Sequence, residues 1–187
     1  VAPEGRTQLY MISGGLGSLG LLIATWLVSR SRAPLWLLGR SGRVTGQDVV
    51  LQRLWMTSAC VSARRCDAGC AEEASSLAAP SQPLQGFLHA GGVLQDATVG
   101  NMTLARCRAV FAPKVVGLHN MDMAMGVSPM QAVVLFSSIA SLLGGVGQAN
   151  YTAANAALDA AASVRQAQGT AGSSVQWGTW ADGGMAT

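Results

Sequence analysis

The sequence predicts an α/β fold built on a doubly wound parallel sheet. Apolar, strand-like runs alternate with helical patterns along the chain. Half of the 187 residues are hydrophobic and only 11% are charged, which suits strands covered on both faces rather than a sheet with one wet side. A cluster of glycines follows directly on the first apolar run and opens a helix. By length, residues 1–187 form a single domain able to bury most of its apolar surface.

The first strand, 8–13 (QLYMIS), stops at Gly14 and Gly15, and a helix begins at 18 and runs to 30. The second strand, 34–39 (PLWLLG), precedes a helix at 46–58, and the third, 61–66 (VSARRC), precedes a short helix at 71–79. The Pro-rich AAPSQPLQG then leads into the fourth strand, 84–90 (LQGFLHA). A helical pattern spans 103–125, and Pro113 inside it predicts a kink or a break, because proline supplies no N–H and its ring clashes with the preceding turn. The fifth strand, 131–137 (QAVVLFS), leads to an alanine-rich helix at 151–168, and the sixth lies at 173–178 (SSVQWG). No internal repeat or long linker interrupts the series.

Composition excludes several function classes. The net charge is +3 with arginines scattered along the chain, so no basic stripe points to nucleic acid. Cys60, Cys66, Cys70 and Cys107 match no zinc spacing and contain no C-x-x-C, which predicts incidental or buried thiols, no metal site and a reducing, cytoplasmic compartment. The uncharged run 8–29 is long enough for a membrane span, but Gly14, Gly15, Gly17 and Gly20 cluster in it as a turn rather than a helix-packing stripe. A soluble protein with no membrane partner is expected.

Gly15-Leu16-Gly17-Ser18-Leu19-Gly20 fits G-x-G-x-x-G between a strand and a helix, with Gly14 just before it. Such glycines let backbone N–H groups and a helix N-terminus approach a pyrophosphate; a glycine turn that binds nothing is the alternative. The second strand ends in Gly39-Arg40-Ser41, where an acid would meet a free ribose hydroxyl and an arginine suits a 2′-phosphate. NADPH is therefore the expected cofactor, against Arg40 as a solvated loop charge. Asp67 and Ala68, after the third strand, are candidates for the adenine, with Asp67 as a helix N-cap in competition. His89-Ala90-Gly91 follows the fourth strand, and small residues there let the backbone run beside the nicotinamide ribose. For His89 itself a satisfied structural histidine is the favoured alternative.

The reacting groups are Ser138, Tyr151 thirteen residues later, Asn155 one helical turn beyond, and Lys114, the only lysine in the chain. A phenol ordinarily titrates at about pH 10, and a nearby ammonium favours its ionised form. A serine hydroxyl can polarise a carbonyl oxygen, and the Asn155 amide can hold Lys114 or a relay water. Against this, paired serines often cap helices and a lone tyrosine in an alanine-rich helix is often core.

The stretches YMISGGLGSLG, LWLLGRSGR, RCDAG, GFLHAGGVLQDATVGNMT, APKVVG, VLFSSIASLLGGVGQANYTAANAALDA and VQWGTWADGGMA resemble the catalytic half of a polyketide synthase ketoreductase domain, within the short-chain dehydrogenase/reductase superfamily. The resemblance implies a Rossmann-like sheet of order 3-2-1-4-5-6. It makes Tyr151 the proton donor, Ser138 the oxyanion partner, and Lys114 with Asn155 the supporting pair, since most superfamily members carry a lysine where this chain has Asn155. It implies NADPH-dependent reduction of a β-ketoacyl thioester on an acyl carrier protein, beside neighbouring synthase domains. Asp96 of Leu94-Gln95-Asp96, and Leu143 where the opposite stereochemical class has tryptophan, imply a D-configured β-hydroxy product; Asp96 as a solvated loop acid is the alternative. Ser13 stands where threonine is usual, HAGG replaces HAAG, and the 67–89 interval is short. The last strand, the lid and the preceding structural subdomain are expected to be missing, so that the chain is a fragment of a larger synthase. A fatty-acid synthase ketoreductase, and a domain that keeps the fold without turnover, are the competing expectations.

Overall fold

The computed structural model describes residues 9–31, 33–43, 48–57, 60–77, 83–126 and 129–180. Six strands form one parallel sheet: β1 (Leu9–Ser13), β2 (Leu35–Gly39), β3 (Val61–Arg65), β4 (Leu84–His89), β5 (Ala132–Ser138) and β6 (Ser173–Trp177). Their order is β3-β2-β1-β4-β5-β6, as expected, so the chain reverses its direction of winding between β1 and β4. The helices are α1 (Ser18–Arg30), α2 (Asp48–Thr57), α3 (Ala71–Ser75), α4 (Leu104–Phe111), α5 (Gly117–Met125), α6 (Ala140–Leu143) and α7 (Ala149–Ala167).

Alternation along the strands builds two cores, one on each face. Leu9 and Met11 of β1 join Phe87, Val133, Leu135, Leu118, Met121 and Leu158 on the face covered by α5 and α7. Ile12 turns the other way and joins Leu21, Ala24, Leu35, Leu37 and Leu54 beneath α1 and α2. A bulge lies where Leu9 pairs with Leu84 and Tyr10 with Gly86, which is why Leu84 and Phe87 share a face despite their odd spacing. Both faces are therefore dry, in accord with the low charge content.

The elements differ from the sequence reading in several places. The helix expected at 103–125 is divided: a π-helical turn, Ala112–Val116, separates α4 from α5 and contains Pro113. The wider turn accommodates the missing proline N–H without ending the helical course, and it carries Lys114 into the interior at 3% exposure. The short α6, just after Ser138, was not foreseen, nor was a 3₁₀ turn at Val99–Asn101. The helix expected at 71–79 has its described turns at Ala71–Ser75. Parts of several expected elements, at 8, 46–47, 58 and 78–79, and the WADGGMA motif beyond Trp180 lie outside the described residues.

Candidate active site

An open cleft of about 2110 Å³ lies at the carboxyl ends of the strands, where winding reverses between β1 and β4. One side of it is the glycine turn. Gly14 has φ 69°, a region closed to most side chains, and a Cβ there would stand 2.7 Å from Gly91 N. A Cβ on Gly20 would stand 2.6 Å from Gly15 Cα, so this glycine lets α1 close on the turn. Gly15 serves packing rather than the cleft: its Cβ would meet Ile12 O and Leu37. Gly17 is different, because a Cβ there meets nothing nearer than Gly14 O at 3.4 Å. No side chain caps the N-terminus of α1, and Gly14, Leu16, Gly17, Leu19 and Gly20 all line the cleft. This open, uncapped helix end fits a pyrophosphate.

The far wall of that region is basic. Arg40, Ser41 and Arg43 line the cleft just beyond β2, in a turn closed by Ser41 Oγ and Arg43 N at 3.1 Å with Gly42 at φ 63°. Arg65 Nε donates to Arg40 O at 3.3 Å. Asp67 and Ala68 also line the cleft. Asp67 Oδ1 accepts from Gly69 N at 2.9 Å and does not cap α3, whose N-cap is Cys70. The Cys66 thiol is buried and pushed up to about 11, chiefly by burial, so it is an inert core thiol. Among the described residues no cluster of His, Cys, Asp or Glu suits a metal ion, and no helix is long and apolar enough to cross a membrane.

His89 is wholly buried and does not line the cleft, whereas Ala90 and Gly91 do. Its Nε2 donates to Lys114 O at 2.8 Å, which leaves Nδ1 to accept from Ser13 Oγ at 2.6 Å. Burial lowers its pKa to about 4, so the ring is neutral at physiological pH. The structural role weighed for His89 is thus the one its geometry supports: it ties β1 and β4 to the turn that carries Lys114.

Lys114, Ser138 and Tyr151 meet at the other end of the cleft, on the π-helical turn, the last residue of β5 and the first turn of α7. Lys114 Nζ donates to Phe136 O at 3.0 Å and lies 5.5 Å from the centre of the Tyr151 ring. Desolvation lowers its pKa to about 8, opposed by the negative charge of Asp159. Ser138 Oγ accepts from Ala140 N at 3.2 Å and lies 3.4 Å from Trp177 O. That second distance is at the limit of a hydrogen bond, so the hydroxyl proton is readily redirected. Asn155 is wholly buried; its Nδ2 donates to Tyr151 O at 2.8 Å, and its Oδ1 has no partner among the described residues. Of the two roles expected for the Asn155 amide, holding Lys114 or a relay water, the first is not made, because the ammonium turns to the end of β5 and the amide NH₂ turns to its own helix.

Two residues that spacing did not reveal brace this region. Asn150, buried at the start of α7, donates to Gln95 O at 2.9 Å and accepts from Tyr151 N at 2.8 Å. Gln148 Nε2 donates to Asp96 Oδ2 at 3.0 Å, and Ala97 N donates to Gly147 O at 2.8 Å. The loop after β4 is thus stapled to the segment before Tyr151, holding exposed Asp96 beside it and outside the cleft lining. Leu143 lines the cleft and is 78% exposed.

A family model for the KR domain matches residues 8–182. The polyketide synthase GfsB of Streptomyces halstedii is 39% identical over all of this chain, which spans 4% of that protein. The polyketide synthase PksN of Bacillus subtilis is 35% identical over 95% of the chain, which spans 3% of it. Among solved structures, A-type ketoreductases from a modular polyketide synthase superpose with a TM-score of 0.89 at 33% identity, over the whole chain and 41% of theirs. A ketoreductase domain from the bacillaene assembly line gives 0.84 at 31% identity, over 99% of this chain and 48% of that one.

Proposed function

The chain belongs to the ketoreductase (KR) domain family of polyketide synthases, and from that premise we propose that it reduces a β-ketoacyl thioester, carried by an acyl carrier protein, to a β-hydroxyacyl thioester with NADPH. The observation that carries this reading is the convergence of Lys114, Ser138 and Tyr151 on one cleft whose other end is an uncapped, glycine-lined helix N-terminus. The glycine turn would hold the pyrophosphate, Arg40 and Ser41 the 2′-phosphate, Asp67 and Ala68 the adenine, and Ala90 and Gly91 the nicotinamide ribose. When bound, the reduced nicotinamide supplies a hydride to the β-carbon.

The chain's own groups manage the oxygen. Ser138 turns its hydroxyl from Trp177 O to the ketone oxygen and polarises it. Tyr151 delivers its phenolic proton to that oxygen as negative charge develops there. Lys114, cationic and largely desolvated, stabilises the phenolate left behind. Asn155 fixes the turn of α7 beneath Tyr151. Asp96, held by Gln148, and Leu143, at the cleft edge, are the residues we assign to presenting the face of the ketone that yields the D-alcohol. The neighbouring synthase domains would supply the carrier protein.

The test is NADPH oxidation by this chain with a β-ketoacyl N-acetylcysteamine thioester, the product being resolved by chiral chromatography. NADPH-dependent formation of the D-alcohol is expected, with NADH much poorer and Arg40→Glu narrowing that preference. NADPH binding without turnover contradicts the proposal.

A further inference from the structure

Arg65, the last residue of β3, stands outside the cleft lining, yet its side chain joins the two walls assigned to the adenosine end of the cofactor. Its Nε donates to Arg40 O at 3.3 Å, in the turn beyond β2, and its Nη2 donates to Glu73 Oε1 of α3 at 3.1 Å. A Cβ on Gly42 would stand 3.1 Å from Arg65 Cβ, so that turn is seated directly on this residue. The second oxygen of Glu73, Oε2, accepts from Asp67 N at 2.8 Å, and Asp67 lines the cleft. Arg40 O, Arg65, Glu73 and Asp67 N thus form one continuous chain of contacts from the phosphate wall to the adenine wall. Arg64, next to Arg65, is engaged elsewhere, its guanidinium 3.5 Å from the centre of the Trp36 ring.

A carboxylate near the end of β2 is the group that selects a free ribose hydroxyl and repels a 2′-phosphate. Residues 39–41 hold no acid, but Glu73 brings one to within a single side chain of Arg40. Both of its oxygens are engaged, one by the Arg65 guanidinium and one by a peptide N–H. The Arg65 side chain is 71% exposed, and an exposed ion pair of this kind adds little to stability. Its consequence lies in the charge it removes from the pocket. We propose that Arg65 is a positioning residue for cofactor choice: its pairing with Glu73 cancels the acid that would favour a free ribose and leaves Arg40 and Ser41 to take the 2′-phosphate. The inference rests on the assignment of Arg40 and Ser41 given above. Arg65 acts through Glu73 and through the turn that it holds.

The probes are adenosine 2′,5′-bisphosphate and adenosine 5′-monophosphate, which differ only in the 2′-phosphate and need no turnover; calorimetry gives their affinities. The wild-type chain is expected to prefer the bisphosphate. Arg65→Met bares the Glu73 carboxylate and should reduce that preference by about fivefold, with the monophosphate bound within about twofold of wild type. Arg65→Lys keeps the charge and should keep the preference. Glu73→Gln added to Arg65→Met should restore it to within about twofold, since an amide oxygen still accepts from Asp67 N and the bare charge is gone. A merely structural loss would not be mended by that second substitution, nor would it shrink as ionic strength rises, as the loss in Arg65→Met should. An unchanged preference in Arg65→Met overturns the proposal, and so does a loss that Glu73→Gln leaves in place. A wild-type chain that binds both probes equally overturns the 2′-phosphate reading itself, and the proposal with it.

Discussion

Lys114 sits where a charge is expensive, and its cost is visible in pH dependence. Its folded pKa of about 8 lies below the ordinary 10.5, so between these values the unfolded chain binds the proton more tightly. Folding stability contributed by this group therefore rises as pH climbs from 8 to 10.5, and the burden is fully present below 8. Lys114→Met should keep stability within about 1 kcal/mol of wild type at neutral pH and abolish that rise, while reduction falls by about a hundredfold or more. Urea midpoints across this range, with initial rates beside them, check both. His89 gives the opposite end of the scale. Its pKa falls from 6.5 to about 4, so its contribution is present above pH 6.5 and is lost as pH falls through 4, to the extent of about 3 kcal/mol. Urea midpoints measured between pH 7 and 4 should drop, and His89→Gln should flatten the drop. The sequence singled out Lys114, Ser138, Tyr151 and Asn155 through residue type and spacing, and the first three line one cleft. It did not display where each group's hydrogen bonds go: Asn155 turned to Tyr151 O, and the partners of Asp159 come from α6 and β6. Those are facts of tertiary packing.

Among the elements, the glycine turn was the most legible, because Gly14, Gly15 and Gly20 each answer a local steric demand. The turn also separates folding from binding. Gly20→Ala drives a methyl into the backbone of Gly15 and should cost about 2 kcal/mol or more. Gly17→Ala has its nearest neighbour at 3.4 Å and should leave stability within about 0.5 kcal/mol, yet weaken NADPH binding by narrowing the approach to the helix end. Thermal melts and cofactor titration on the two variants make the comparison; equal losses of stability would contradict it. The disturbance at Pro113 was foreseen as a kink or a break, but not as a π-helical turn. Residue type announces that a proline disturbs a helix; the path that keeps Lys114 inside depends on α7 and β5 packed against it. The short α6 carries little apolar periodicity of its own and is fixed by Ser138 Oγ at its start and Ser141 at Asp159.

For the whole molecule, the alternation of apolar strands and helices pointed to a parallel sheet covered on both faces, while its strand order came from the resemblance and is the one the structure has. The same topology places the glycine turn and the Ser138–Tyr151 pair along one cleft at the carboxyl ends of the strands. The chain spans 4% and 3% of the two synthases named above, and less than half of the two solved ketoreductase chains. Under the proposed function, chemistry and substrate choice fall to different groups: Lys114, Ser138 and Tyr151 line the cleft, whereas Leu143 lines it at an exposed position and exposed Asp96 stands outside its lining. The central claim is that Tyr151 protonates the ketone oxygen while the glycine end of the cleft holds the cofactor. Its most direct measurement is NADPH affinity and single-turnover reduction of a β-ketoacyl thioester surrogate in Tyr151→Phe beside wild type. Affinity within about twofold, with reduction slowed by about a hundredfold or more, is the predicted result. Reduction at the wild-type rate by Tyr151→Phe would contradict it.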